Sequence, residues 1–351
     1  MKISSSAWNI LNGEALIEKR NRWFAKLLLV FIGKESREVL AVNGIRGETS
    51  LQIAYEDPEQ WVVEALENLA GRIACSDNDI MFIPACIEYS IYGVHFIDKI
   101  LGAEVFFQDD QWYNRYLKTP IGCLAYPDLD NNPTWHLAQR ATHEFLRQDV
   151  KLPLFGLPAI ASALNIAVNL YGQEILLEIL TEPDNALKDL RTINSLICNL
   201  HRWYRSVVPL EQLQPVISWN RTQPPGFGQI CGCTSQLVSG ATYREFIEPL
   251  DSEALMVYPN GGMMHLCGSH TQHLETFRNM KALRAVQIND RAAWDLEKYF
   301  HGLREDQIIY LYPCEGMTVE MAMEITGGHR LVIADNISAT ILRKGCKCTF
   351  H

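Results

Sequence analysis

The order of apolar and polar positions along the chain predicts helices that alternate with buried strands. Between residues 8 and 32, apolar positions are interspersed with charged ones, which favours an N-terminal helix leading into a buried segment. Asp57-Pro58 has the residue types of a helix start, and an apolar stripe at helical spacing follows over residues 61 to 73. The short apolar run over residues 80 to 86 is typical of a strand that is buried on both faces.

The rest of the chain repeats this alternation. Strand-like runs lie at 153–156, 283–288, 307–312 and 330–334, and helical patterns lie at 292–300 and 319–326. Strands that alternate with helices are the pattern of βαβ units and a parallel sheet. A further strand is predicted over residues 102 to 107.

The stretch Met263-Met264-His265-Leu266-Cys267-Gly268-Ser269-His270 carries the most specific chemistry. Side chains alternate along extended backbone, so His265 and Cys267 at the mouth of a strand point to the same side and can reach one metal ion. Imidazole and thiolate are ligands that zinc prefers, and three protein ligands leave a fourth position open for a substrate. The structural alternative is a small buried cysteine beside a hydrogen-bonded core histidine.

A second cysteine-containing segment lies at residues 223 to 234, where two prolines and three glycines predict an irregular backbone. Its Cys231 and Cys233 form a CxC pair, whose thiols are also potential metal ligands. This spacing lacks the two-residue spacer of most zinc knuckles. The sequence therefore favours the HxC stretch over the CxC pair as the centre of a metal site.

Composition limits the class of partner. A chain of 351 residues with 48% hydrophobic residues can bury a large core, and its formal net charge of -10 disfavours nucleic acid or an anionic membrane surface as the partner. A small-molecule substrate or another protein is expected instead.

Ten cysteines without a secretory signal indicate a reducing compartment, and the apolar run over residues 24 to 32 is too short to span a bilayer. We expect a cytoplasmic protein.

Several segments together resemble the uroporphyrinogen decarboxylase superfamily. They are Met264-His265-Leu266-Cys267-Gly268-Ser269, Ala285-Val286-Gln287-Ile288-Asn289-Asp290, Phe155-Gly156-Leu157-Pro158, Tyr171-Gly172-Gln173-Glu174, Leu180-Thr181-Glu182-Pro183-Asp184 and Tyr243-Arg244-Glu245-Phe246-Ile247-Glu248-Pro249. The HxCG element makes the resemblance closest to the zinc-dependent cobamide:thiol methyltransferases, in which it carries two metal ligands. The resemblance covers roughly residues 150 to 336, and the first 150 residues match poorly.

The fold that this resemblance implies is an α/β protein, a TIM-type (β/α)8 barrel over residues 76–351 with an N-terminal helical extension over residues 1–75. Periodicity alone does not separate a closed barrel from an open doubly wound sheet. Barrel enzymes place their sites at the C-terminal ends of the strands, where several polar residues of this chain fall. The candidates are His265, Cys267 and Cys314 as metal ligands, Asp290 and Glu315 as catalytic residues, and Glu88, Cys231, Asn289 and Asp335 as substrate-binding residues.

The third zinc ligand is where this chain departs from the resemblance. The related methyltransferases take a cysteine from the loop after the last strand, and this chain has Ile333-Ala334-Asp335-Asn336 there. The replacements are Cys314 at the end of the neighbouring strand, Cys346 or Cys348 in the C-terminal tail, or an oxygen of Asp335. We favour Cys314, because a strand end is fixed in space whereas a terminal tail is often disordered.

The function that the resemblance implies is transfer of a methyl group between a corrinoid, carried by a partner protein, and a thiol activated by zinc. One alternative is a decarboxylase that acts without metal on a tetrapyrrole or another carboxylated substrate. Another is a barrel that binds a corrinoid or tetrapyrrole without catalysis. True uroporphyrinogen decarboxylases have an arginine-rich N-terminal segment, and the nearest loop here, Gly44-Ile45-Arg46-Gly47, has one arginine. Decarboxylation therefore ranks second.

Overall fold

The computed structural model describes residues 1–33, 40–73, 81–214 and 220–334. The helices in these ranges are α1 (Ser5–Leu11), α2 (Glu14–Phe31), α3 (Leu51–Glu56), α4 (Pro58–Ile73), α5 (Phe96–Ile100), α6 (Pro133–Arg147), α7 (Ala163–Tyr171), α8 (Glu174–Thr181), α9 (Pro183–Val207), α10 (Gly240–Thr242), α11 (Glu248–Met256), α12 (Leu274–Asn279), α13 (Arg291–Trp294), α14 (Leu296–Gly302) and α15 (Val319–Thr326). The strands are β1 (Leu40–Val42), β2 (Ile45–Arg46), β3 (Met81–Phe82), β4 (Ala85–Glu88), β5 (Val105–Gln108), β6 (Gln111–Asn114), β7 (Leu154–Gly156), β8 (Leu213–Gln214), β9 (Gly228–Cys231), β10 (Gly262–Cys267), β11 (Leu283–Asn289), β12 (Ile308–Leu311) and β13 (Leu331–Ile333).

Two parallel sheets form the centre of the molecule. The larger has the strand order β3-β1-β13-β12-β11-β10-β9, and the smaller has the order β2-β4-β7-β8. Only two residues separate β1 from β2 and β3 from β4, so two segments of chain continue from one sheet into the other. The predicted α/β fold with a mainly parallel sheet is therefore observed. Among the described residues, no pairing joins β8 to β9, so these pairings do not by themselves close a barrel.

Alternate residues of the strands build two hydrophobic cores, as the period of two in extended backbone requires. One face of each strand packs against the surrounding helices; on β12, Ile309 and Leu311 belong to this outer core. The opposite faces of both sheets meet in a smaller inner core that also includes α2. Its members are Trp23, Phe24, Leu27, Val30, Phe31, Val42, Phe82, Cys86, Leu154, Phe227, Met263, Ala285, Ile308, Tyr310, Val332 and Ala334.

Helix α2 covers the inner core at the beginnings of the strands. The ring of Phe82 stacks on Trp23 with centroids 5.7 Å apart and meets Phe24 edge-on at 5.4 Å. Arg20 of the same helix donates hydrogen bonds to the carbonyl oxygens of Lys151 and Leu152 at 2.6 and 3.0 Å, just before β7. Across the described ranges, no helix has both the length and the apolar character needed to cross a membrane.

The first strands lie within the region predicted as a helical extension. β1 pairs in parallel with β13 and β3, and β2 pairs with β4. These strands are two or three residues long, too short to show a period in the sequence. The predicted domain boundary at residue 75 therefore lies between paired strands of the same two sheets.

The predicted strand over residues 102 to 107 belongs to neither central sheet. It forms β5, which pairs antiparallel with β6 in a hairpin. Asp109 and Asp110 are its two turn residues and have φ values of 49° and 58°. Positive φ at both positions is what a type I′ turn requires, and this turn matches the right-handed twist of the flanking strands. The hairpin turn therefore accounts for the position of Asp109 and Asp110.

Candidate metal centre

Strand β10 presents two of the predicted ligands on one face. Its apolar residues Met264 and Leu266 belong to the outer core, so His265 and Cys267 point to the other side of the sheet. The strand ends at Cys267, and Gly268 follows with φ of 78°. A Cβ at this position would collide with the side chain of Gln236, so glycine allows the sharp turn after the second ligand.

Cys233 completes a group of three potential metal ligands. Its Sγ, a ring nitrogen of His265 and the Sγ of Cys267 all lie within 4.8 Å of one another. The Sγ of Cys267 is 3.0 Å from Nε2 of His265, and the Sγ of Cys233 is 3.8 Å from the carbonyl oxygen of His265. Cys233 follows β9, which pairs directly with β10, so the third thiol comes from the neighbouring strand.

Gln287 fixes the imidazole of His265. The two residues are register partners on β10 and β11, and Oε1 of Gln287 accepts a hydrogen bond from Nδ1 of His265. An amide oxygen can only accept, so this contact places the ring proton on Nδ1. The lone pair of Nε2 then faces Cys267, which is the tautomer that a metal ligand needs.

The two thiols of the group have opposite pKa shifts. The hydrogen bond between Cys233 and Cys267 lowers the pKa of Cys267 against the effect of burial, and His265 lowers it further. The same hydrogen bond, together with burial, raises the pKa of Cys233. Of the two thiols, Cys267 is therefore the one that loses its proton more readily. A thiolate and a neutral imidazole are the forms in which cysteine and histidine bind metals.

His270 joins the two turns that carry the ligands. Its buried ring lies with Nδ1 2.8 Å from the carbonyl oxygen of Gly268 and Nε2 3.2 Å from the carbonyl oxygen of Cys233. The ring lies between the turn after β10 and the turn after β9, and in its neutral form its single N–H donates to one of these two carbonyl oxygens. The sequence does not indicate a role for His270, three residues after Cys267, because its contact with Cys233 depends on the pairing of β9 with β10.

Cys314, the predicted third ligand, is not part of this group. It follows β12, and β11 lies between β12 and β10. Its Sγ is 3.8 Å from the carbonyl oxygen of Asp290, and its backbone exchanges two hydrogen bonds of 3.0 Å with Met317. The intervening strand accounts for the difference from the prediction. Asp335, Cys346 and Cys348, the other residues considered, lie outside the described residues.

Two of the predicted substrate-binding residues, Cys231 and Asn289, lie next to the group, and the predicted catalytic residue Asp290 follows Asn289. Cys231 is the register partner of His265 on β9. Oδ1 of Asn289 is 3.5 Å from the Sγ of Cys267, and the amide of Asn289 donates to Oδ2 of Asp290 at 3.1 Å. Asp290 is exposed and has φ of 49° and ψ of -130°, a strained conformation of the kind that clusters at functional sites.

The remaining two predicted residues have different surroundings. Glu315 is exposed, one residue beyond Cys314. Glu88 is buried at the end of β4, where its carboxylate lies 3.8 Å from the guanidinium of Arg46. Glu88 and Arg46 line a cavity of about 190 Å³, together with Gly47, Glu48, Thr49, Leu51, Ala54, Trp61 and Ser90. None of the three ligands of the metal group lines this cavity.

Gln287→Leu is expected to weaken metal binding about 10- to 100-fold, because the imidazole of His265 loses the acceptor that fixes its tautomer and orientation. Competition with a chromophoric zinc chelator measures the change. Gln108→Leu, on the exposed hairpin, is the matched control and should bind zinc as the unaltered chain does. Equal zinc affinity in both variants would show that the contact with Gln287 does not serve a metal ligand.

Comparisons with known proteins bear on the fold. No protein-family model matches the chain, and no curated protein sequence matches it. Among solved structures, the chain is similar to a methyltransferase from Methanosarcina mazei, with a TM-score of 0.60 and 13% sequence identity over 89% of this chain and 92% of that one. At this identity the likeness shows a shared fold along nearly the full length of both chains.

Proposed function

We propose that the protein is a methyltransferase in which Cys233, His265 and Cys267 hold a zinc ion, and that it moves a methyl group between a corrinoid on a partner protein and a thiol. The observation that carries the proposal is the Cys-His-Cys group at the ends of β9 and β10. The shared fold with a methyltransferase supports methyl transfer. The resemblance of the HxCG element to the cobamide:thiol methyltransferases supports a corrinoid as the methyl carrier and a thiol as the substrate.

The donor set fits zinc. Two sulfurs and one imidazole nitrogen are typical of zinc sites, and three protein ligands leave the fourth position for substrate. Bound there, zinc would lower the pKa of a substrate thiol and hold it as a thiolate. Gln287 fixes the imidazole of His265, and the ring of His270 packs between the two ligand-bearing turns. The surrounding residues thus preorganise the three ligands.

The polar residues at the same strand ends are our candidates for contact with the reactants. Asp290 and Glu315 are exposed after β11 and β12 and remain the candidate catalytic residues. The candidate substrate-binding residues remain Glu88, Cys231, Asn289 and Asp335. Among these, Asn289 has its Oδ1 3.5 Å from the Sγ of Cys267.

We also propose that the two sheets close into a TIM-type (β/α)8 barrel. The inner core supports this arrangement, since it collects one face of the strands from both sheets. The side chain of Gln214 on β8 adds further support, because it bonds to both the amide and the carbonyl of Gln223, a few residues before β9. A closed barrel would bring the ends of all its strands to one rim, where active sites of this fold lie.

Metal analysis and a transfer assay test the proposal. Protein purified without chelator should contain about one zinc per chain, the occupancy that one three-ligand site predicts. It should also move the methyl group of methylcobalamin to a small thiol. His265→Ala and Cys267→Ala should each lose zinc and activity yet unfold with the same cooperativity, because the site lies at strand ends and not in a core.

Absence of zinc after such purification would overturn the methyl-transfer proposal and favour the metal-free decarboxylase or the non-catalytic binding barrel. Unfolding of both variants would instead indicate that His265 and Cys267 are structural residues.

A further inference from the structure

The hairpin of β5 and β6 has no partner strand on either of its edges among the described residues. The amide of Arg115 donates to the carbonyl oxygen of Glu104 at 2.9 Å, which makes these two an H-bonded pair, and in an antiparallel ladder every second pair is of this kind. The residues between such pairs direct their backbone groups outward, and these groups bond to no described residue. They are Val105 and Phe107 on β5, and Trp112 and Asn114 on β6.

The rest of the protein holds this hairpin in place. Trp112 packs on Gly93, where a Cβ would lie 3.1 Å from the indole ring, and the indole meets the ring of Tyr92 edge-on with centroids 5.2 Å apart. Nδ2 of Asn114 donates to the carbonyl oxygen of Asn169 at 2.6 Å. The edge of β6 is therefore fixed before a partner arrives, so little conformational entropy opposes the pairing of this edge with another strand.

The outer face of the hairpin carries aromatic side chains. Phe106 and Tyr113 are register partners on this face, and their rings stack with centroids 5.8 Å apart. The guanidinium of Arg115 lies 5.8 Å from the centroid of the Phe106 ring. Tyr113 is 41% exposed. An exposed strand edge that is flanked by apolar side chains is a surface on which another chain adds a strand.

Charge distinguishes the two edges as surfaces for a second copy of this chain. A two-fold axis sets two identical strands antiparallel, so the turn of each hairpin lies beside the open end of the other. Pairing through β5 would bring the exposed carboxylate of Glu104 close to the partner's Asp109 and Asp110, which repel it. Pairing through β6 would bring the exposed guanidinium of Arg115 close to the same two acids, which attract it.

We propose that β6 pairs antiparallel with β6 of a second copy, so that the protein forms a two-fold dimer with a continuous sheet across the axis. The outward groups set the register: Trp112 exchanges hydrogen bonds with the partner's Asn114, and the axis passes beside Tyr113. Tyr113 then lies opposite the partner's Tyr113, which extends the aromatic face across the axis. The acids beside each β5 edge oppose the addition of further copies. This dimer requires no metal.

Sedimentation velocity and hydrogen exchange on the unaltered full chain test the dimer and its edge. Sedimentation should show reversible dimerisation with a dissociation constant of about 10 μM, as a small interface predicts. The amides of Trp112 and Asn114 should exchange more slowly as the dimer forms, whereas those of Val105 and Phe107 should not change. A chain that is monomeric at about 100 μM would overturn the proposal and leave the edge to a different protein. Slow exchange of Trp112 and Asn114 in the monomer would also overturn it, because another segment of the same chain would then cover β6.

Proline substitutions identify the edge that pairs. Asn114→Pro should raise the dissociation constant of the dimer about 10- to 100-fold, because proline removes an outward N–H and leaves the hydrogen bonds within the hairpin intact. Asn114→Ala is the matched control, since it loses the same side-chain bond to Asn169 but keeps the N–H, and it should dimerise as the unaltered chain does. Phe107→Pro removes an outward N–H from the opposite edge and should also keep the dimer. Dissociation in Phe107→Pro but not in Asn114→Pro would overturn the proposal.

Charge variants test the same contact without a change to the backbone. Arg115→Glu should raise the dissociation constant about 10-fold, because a two-fold dimer contains the contact with the acidic turn twice. Glu104→Gln breaks the same ion pair within the hairpin, 3.4 Å long, but keeps the charge of Arg115, so it should dimerise at least as tightly as the unaltered chain. Added salt should weaken the unaltered dimer. Full dimerisation of folded Arg115→Glu, or a dimer that tightens in salt, would overturn the proposal.

Discussion

Cys233→Ser is expected to strip zinc from the protein, while Cys314→Ser should retain it. Cys233 is the third member of the Cys-His-Cys group, and a neutral hydroxyl is a far poorer zinc ligand than a thiolate. The two ligands that remain would coordinate the ion at only two positions, so we expect the affinity for zinc to fall more than about 100-fold. Elemental analysis and chelator competition measure the loss.

Two further variants complete this comparison. Cys123→Ser changes an exposed cysteine far from the group in sequence and should keep its zinc. Removal of residues 345–351 tests Cys346 and Cys348, and we expect little effect. If Cys314→Ser loses zinc while Cys233→Ser keeps it, the sequence-based choice of Cys314 is right. If removal of the tail strips the metal, one of the tail cysteines is the third ligand.

Phe82→Ala should lower the free energy of unfolding by about 3–5 kcal/mol. Phe82 is 2% exposed and lies between both central sheets and α2, stacked on Trp23 and edge-on to Phe24. Alanine would leave a cavity in the inner core and loosen the contact of α2 with the strands. Denaturant unfolding followed by circular dichroism gives the change, and tryptophan fluorescence reports on Trp23.

An exposed aromatic residue provides the control for this substitution. Phe107 on the hairpin is 48% exposed, so Phe107→Ala should cost about 1 kcal/mol or less. Zinc content per folded chain should not change in either variant, because Phe82 belongs to the inner core under α2, whereas the ligands lie at or beyond the ends of β9 and β10. Equal destabilisation by the two substitutions would mean that α2 does not close the inner core.

The sequence predicts those elements that are long enough to show a period. Helix α4 and the strands β11 to β13 follow directly from their apolar patterns. The short strands β1, β2 and β8 have two or three residues each, and their place depends on partners that are distant in the chain. The sequence predicts β5 as a further strand but does not predict the hairpin, because its partner β6 is only four residues long.

The sequence likewise predicts only part of the candidate site. Alternation along one strand is enough to bring His265 and Cys267 to the same side. Choosing between Cys233 and Cys314 requires knowing which strand borders β10, and the spacing of residues does not contain that information. The CxC segment did mark Cys233 as a possible ligand. The sheet order places Cys233, and not Cys314, beside His265 and Cys267, because β9 borders β10 whereas β12 lies two strands away.

The filled inner core has a kinetic consequence for the proposed reaction. Within the described residues, side chains from α2 and from the beginnings of the strands fill the inner core, so we expect every reactant to enter and leave past the strand ends. A small thiol must then be seated before a bulky methyl donor covers the entrance. The thioether must also depart before the next thiol binds. We expect compulsory binding order, thiol first, and a product that inhibits competitively against the thiol.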